Sequence, residues 1–213
     1  MKTTEALEAN GLVPVLRAGS ARVGMAIVEA MRAGGVNVVE VTMTVPGAID
    51  LLRDLRRAYG DTLLLGSGTV TDAAQARATI EAGAEFVVSP SLHLDVIAAT
   101  KEMGKVAIPG AFTPTEVITA WRAGADYVKV FPCSAAGGAS YLKALLAPFP
   151  DLRLIPTGGV TQATAQDYLA AGARALGVGS DLVNAKAIAE GRPQIVTDAA
   201  RSYLDIIREF RAR

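Results

Sequence analysis

Four stretches of this chain repeat one another, and the repeat restricts the fold more than any other feature. They are RAGGVNVVEVT from Arg32, EAGAEFVVSP from Glu81, RAGADYVKVFP from Arg122 and AAGARALGVGS from Ala170. Each ends a helical pattern on Ala-Gly, where glycine can take the left-handed C-terminal conformation, and passes at once into a short β-branched run. Further strand candidates lie between them: LVPVLR at 12–17, LLLGSGT at 63–69, VAIPGA at 106–111 and LRLIPTGG at 152–159. About eight strands at intervals of roughly 20–27 residues, apolar enough for burial on both faces, predict an α/β chain folded as a (β/α)8 TIM barrel. A doubly wound open sheet is the rival arrangement.

The segments between strands fit this reading. SARVGMAIVEAMRAGG opens on a capping serine and repeats apolar residues at helical spacing; TPTEVITAWRAGA and TQATAQDYLAAGA open in the same manner. An extra N-terminal helix at about 3–10 precedes the first strand, and VTDAARSYLDIIREFRAR forms a final amphipathic helix. No linker or low-complexity stretch interrupts the chain, so residues 1–213 are expected to form a single domain.

Charge and cysteine usage exclude several classes of function. Lys plus Arg and Asp plus Glu number 21 each, which leaves no net field to draw nucleic acid or an anionic membrane. One cysteine, Cys133, forms no internal disulfide, the start MKTTEALEANG lacks the apolar core of a signal peptide, and no run approaches a membrane span. A soluble, cytoplasmic protein is the expectation.

Alternate strand residues face a barrel interior, and reactive groups collect at the carboxyl ends of the strands. Val38, Glu40 and Thr42 share one face of their strand, Tyr127, Lys129 and Phe131 share one face of theirs, and Val13, Val15 and Arg17 alternate in the same way. Arg17, Glu40 and Lys129 thus point into one space. A buried ion pair with no chemical role is the plain alternative, because desolvation often outweighs the attraction within such a pair. A lysine amine, with a reference pKa of about 10.4, becomes nucleophilic when burial or a neighbouring cation favours its neutral form. Lys129 therefore has the surroundings for Schiff-base chemistry, and Glu40 is the acidic residue able to move protons for it. Thr69 and Thr157 end two further strands.

The glycines describe the other end of a substrate. PTGGVT and GVGSDLV place the backbone N–H groups of Gly158, Gly159, Gly179 and Ser180 where barrel enzymes often hold phosphate. His93 stands alone, without the Cys, His or carboxylate neighbours of a metal site, and no metal is expected. Cys133 reads as a packed thiol, and Trp121 and Tyr141 as core or subunit contacts. GSGT lacks the spacing of a dinucleotide fingerprint, so no cofactor is expected.

The ordered motifs VVEVTMTVP, GSGTVT, VSPSL, IPGAFTPTE, VKVFP, PTGGV and GVGSDLV resemble those of the class I 2-keto-3-deoxy-6-phosphogluconate (KDPG) and 4-hydroxy-2-oxoglutarate (KHG) aldolases, over nearly the whole chain. The resemblance implies cleavage of the phosphorylated keto-deoxy acid to pyruvate and glyceraldehyde 3-phosphate, as in the Entner–Doudoroff route, without a metal. It implies that Lys129 forms the Schiff base and that Glu40 is the acid/base. It also implies that Thr69 binds the pyruvate carboxylate, that Phe131 and Thr157 line the pyruvyl pocket, that Gly158, Gly159 and Ser180 hold phosphate, and that Pro90 of VSPSL is a substrate-binding residue. A homotrimer is implied as well. Many members of the family carry an arginine four residues after the strand glutamate, where this chain has Thr44; Arg17 is a plausible substitute, since a guanidinium takes a carboxylate in bidentate fashion. The same chemistry on the phosphogalactonate epimer or on 4-hydroxy-2-oxoglutarate is the nearest alternative. A metal-dependent epimerase or decarboxylase and a non-catalytic assembly subunit, natural or engineered, are readings of other classes.

Overall fold

The computed structural model describes residues 2–213. At the four junctions Gly35, Gly83, Gly124 and Gly172 have φ of +97°, +113°, +94° and +97°, a region that side chains resist, so glycine ends each helix and starts the following strand. In the first repeat the second glycine of the pair does this, since Gly34 has φ −85°.

Helix α1 (Thr3–Asn10) leads into β1 (Leu12–Leu16), α2 (Ala21–Ala33), β2 (Val38–Thr42), α3 (Ala48–Tyr59) and β3 (Leu64–Gly68). There follow α4 (Ala73–Glu81), β4 (Phe86–Val88), α5 (Leu94–Glu102), β5 (Val106–Ile108), β6 (Gly110–Ala111), α6 (Pro114–Arg122) and β7 (Val128–Val130). The chain ends with α7 (Ala139–Leu146), β8 (Leu154–Pro156), α8 (Ala165–Ala170), β9 (Leu176–Val178), α9 (Ala185–Ala189) and α10 (Gln194–Arg211). Ser20 caps α2 by accepting the Val23 N–H at 3.3 Å, and Thr113 with Glu116 forms a capping box on α6. Helix α8 starts later than TQATAQDYLAAGA suggests. The Thr161 N–H donates to Thr164 Oγ1 at 3.0 Å, which makes 161–164 a turn.

All paired strands are parallel, in one sheet of order β5-β4-β3-β2-β1-β9 and another of order β6-β7-β8. A single bridge, Thr157 to Gly177, joins the second sheet to the first. The run at 106–111, expected as one strand, is two: Pro109 has no N–H to give to a ladder, so β5 pairs β4, β6 pairs β7, and the Pro109 carbonyl accepts the Lys129 N–H at 2.9 Å. The result is a curled parallel sheet.

The sheet is buried on both sides. Leu16, Val39, Val41 and Leu65 pack outward beneath α2 and α3, whereas Val13, Val38, Phe86, Tyr127 and Ile155 fill the inner face. The expected parity holds, because Val13, Val38 and Tyr127 lie on the inner side with the residues two places further on. Leu7 of α1 belongs to the inner cluster and is fully buried, and Tyr127 Oη donates to Thr4 O (3.1 Å) and Glu8 Oε1 (3.0 Å). Helix α1 therefore stops the amino end of the sheet and leaves the carboxyl end for chemistry.

Candidate active site

β2 carries Glu40 and β7 carries Lys129 into the inner face, at 2% and 5% side-chain exposure. Each strand has a paired neighbour on both sides, which fixes both backbones. Lys129 Nζ stands 3.8 Å from Glu40 Oε1, too long for a hydrogen bond, and Oε1 is a buried oxygen without a hydrogen-bond partner among the described residues. A pair kept only for stability is expected to be hydrogen-bonded, because a buried charge is otherwise costly. Burial holds the Glu40 carboxyl above the ordinary glutamate value of 4.5, and the charges of Lys129 and Arg17 oppose that rise.

The carboxylate fits because β3 has no side chains opposite it. A Cβ on Gly68 would collide with Glu40 Oε1, and one on Gly66 would collide with the Phe86 ring. In the same way a Cβ on Gly177 of β9 would collide with Thr157 Oγ1. Glycines at inward positions of strands mark such close approaches.

Two spaces meet at Thr157. A void of about 10 Å³, the size of one water, is bounded by Glu40, Lys129, Thr157 and Gly177 together with apolar neighbours. An open cavity of about 770 Å³ adjoins Thr157 from the other side and is lined by Arg17, Phe131, Gly158, Gly159, Gly179 and Ser180 among others. Lys129 Nζ lies 5.1 Å from the centre of the Phe131 ring. Nine of the twelve residues singled out in the sequence thus border one or the other space.

Three do not. Pro90 follows β4 and packs against Gly110, and Thr69 follows β3 with φ +60°, the one positive φ outside glycine among the described residues. For a β-branched residue that backbone is strained by about 1–3 kcal/mol, a cost met mostly at functional positions. Thr44 is exposed, and its hydroxyl lies 2.7 Å from Thr42 Oγ1. Thr42 gives its own proton to Leu16 O at 2.8 Å, so the proton between the two threonines belongs to Thr44. The Thr44 hydroxyl is therefore left with lone pairs only and offers nothing to a carboxylate. Arg17 is exposed at the end of β1 and lines the cavity.

Sequence reasoning did not single out Thr161, Asp181, Asn184 and Lys186, which also line the cavity. They lie in the turns after the glycine motifs, where no periodicity fixes a direction. The inward glycines Gly68 and Gly177 were findable by strand parity.

The residues set aside stay outside this site. His93 precedes α5 with its Nε2 2.9 Å from Ser91 Oγ, and no group of three His, Cys, Asp or Glu side chains among the described residues could hold a metal ion. The Cys133 thiol is buried, which pushes it up to about 11, so it is a poor nucleophile. Trp121 and Tyr141 are partly buried against the core, and Tyr141 Oη donates to Phe112 O at 2.5 Å. No helix among the described residues is long and apolar enough to cross a membrane.

An inward lysine and glutamate beside an open cavity are the groups that a carbon–carbon lyase working through a Schiff base requires. The sequence model of the KDPG and KHG aldolases matches residues 3–199, and the chain belongs to that family of class I aldolases. It is 33% identical over 198 residues to the 2-dehydro-3-deoxy-6-phosphogalactonate aldolase of Escherichia coli (strain K12), which covers 92% of this chain and 96% of that one. It is 34% identical over 194 residues to the KHG/KDPG aldolase of the same organism, 91% of each chain. A KDPG aldolase from Legionella pneumophila, solved with pyruvate captured as a covalent carbinolamine, superposes with a TM-score of 0.88 at 30% identity, covering 95% of this chain and 98% of that one.

Proposed function

We propose that this enzyme cleaves 2-keto-3-deoxy-6-phosphogluconate to pyruvate and glyceraldehyde 3-phosphate, that residues 1–213 act as one (β/α)8 barrel domain, and that it works as a cytoplasmic homotrimer. The barrel reading draws support from the Thr157–Gly177 bridge on one side and from β5 and β6, two residues apart across Pro109, on the other. The observation that carries the activity is the under-bonded pair, Glu40 and Lys129, buried on rigid strands beside a cavity that a substrate can enter.

Lys129 Nζ adds to the keto carbon, C2, and the carbinolamine loses water to give an iminium ion. Glu40 takes the proton of the C4 hydroxyl, the C3–C4 bond breaks with its electron pair moving toward the iminium nitrogen, and the aldehyde departs. Glu40 returns that proton to C3 of the enamine, and water hydrolyses the resulting pyruvate iminium. Arg17 takes the substrate carboxylate in place of the arginine that Thr44 replaces, with Thr69 as a second donor and Phe131 and Thr157 shaping the pyruvyl pocket. Backbone N–H groups at Gly158, Gly159, Gly179 and Ser180 hold the phosphate.

The phosphogalactonate epimer is a second reading, favoured by the similarity to an enzyme of that name. Measuring kcat/KM for both epimers and for 4-hydroxy-2-oxoglutarate tests the proposal. The phosphogluconate derivative is expected to lead; a higher value for either rival would reassign the substrate, and no pyruvate from any of them would end the aldolase reading for this chain.

A further inference from the structure

Asp181 lines the cavity directly after Ser180, an odd place for a carboxylate if the same cavity holds a phosphate. Its contacts resolve the oddity. Oδ2 accepts the Tyr203 hydroxyl at 2.5 Å and the Gln162 backbone N–H at 3.2 Å. Gln162 lies in the loop after β8, Asp181 in the loop after β9, and Tyr203 is a fully buried residue of α10. The neighbouring Ser202 donates to the Gln162 side-chain oxygen at 2.6 Å, so two consecutive residues of α10 hold both loops. No ion pair engages Asp181 among the described residues.

We propose that Asp181 is a positioning residue: it ties the Gly158–Gly159 loop to the Gly179–Ser180 loop through Gln162 and Tyr203, and so sets the spacing of the backbone N–H groups that converge on phosphate. The inference rests on the phosphate site of the proposed function. Charge-assisted hydrogen bonds are the strong kind, and two of them on one oxygen fix that oxygen between loop and helix.

The test uses the full chain, with inorganic phosphate as the probe in calorimetry and the borohydride-trapped pyruvate adduct of Lys129 as the control. A bystander carboxylate repels phosphate, so its removal tightens binding; a positioning carboxylate gives the opposite sign. Asp181→Ala is expected to weaken phosphate binding about tenfold despite losing a like charge, with pyruvate trapping unchanged. Tyr203→Phe, which leaves the cavity's charge alone, is expected to move the same way; if that buried variant does not fold, Asp181→Ala alone decides. Unchanged or tighter binding in Asp181→Ala, loss of pyruvate trapping along with it, or a wild-type chain that binds no phosphate would each overturn the proposal. Where the wild-type chain itself traps no pyruvate, weakened phosphate binding in Asp181→Ala leaves Asp181 its role and removes the aldolase reading instead.

Discussion

Glu40 and Lys129 sit nearly without solvent on strands held from both sides, whereas Gly158, Gly159, Gly179 and Ser180 lie in loops around an open cavity of about 770 Å³. On the proposed reading the first region works with side chains and the second with main chain. Covalent chemistry at one carbon needs an amine and a carboxyl fixed to within a fraction of an ångström, which paired strands provide. A phosphate needs several N–H donors from one direction, which glycine turns provide without side chains in the way. Damage to the inner region should therefore appear in kcat, and damage to the rim in KM for phosphorylated ligands.

The largest effect falls on the amine. Lys129→Ala should lower turnover by more than about 10⁴-fold and abolish trapping by borohydride, as measured by steady-state kinetics and intact mass. Glu40→Gln should lower kcat by about 10²–10⁴-fold while the variant still traps pyruvate slowly. The pH profile sharpens this. Burial raises the Glu40 carboxyl, so the acidic limb of kcat/KM should lie above pH 4.5 in the wild type and vanish in Glu40→Gln. The stability consequence has a definite sign: a group with a raised folded-state pKa lends stability below its unfolded value, and that contribution is lost as pH rises through the raised pKa. Thermal melts should thus show Glu40→Gln gaining on the wild type as pH climbs from 4.5.

Smaller effects separate the two regions. Gly68→Ala drives a methyl into Glu40 Oε1 and should cost about 10–100-fold in kcat with KM little changed. Gly159→Ala meets Ser134 Oγ at a φ of +78° and should raise KM for the phosphorylated substrate about tenfold, leaving pyruvate trapping intact. A fall in kcat alone for Gly159→Ala would break the division between floor and rim. Thr44→Val should change KM by less than about twofold, because the hydroxyl it removes is already donated to Thr42.

How far the sequence disclosed this arrangement differs between the same two regions. Glu40 and Lys129 were legible because a strand has period two, and a charge on the inward parity of an apolar run has few explanations. Arg17 followed from the same count. The split at Pro109 was not legible: one apolar run gives no sign that its halves pair with different sheets. Nor was Asp181, whose direction is set by Tyr203 across 22 residues of chain. Thr44 is intermediate, since its position was suspect from the sequence while the proton count that disarms it needed the Thr42 and Leu16 distances.

The central claim is that Lys129 is the nucleophile. Incubation with pyruvate and sodium borohydride, followed by peptide mapping of the modified chain, tests it most directly. The account predicts one reduced pyruvyl adduct, on the peptide containing Lys129 and absent from Lys129→Ala. An unmodified chain, or an adduct on another lysine that persists in Lys129→Ala, would contradict it.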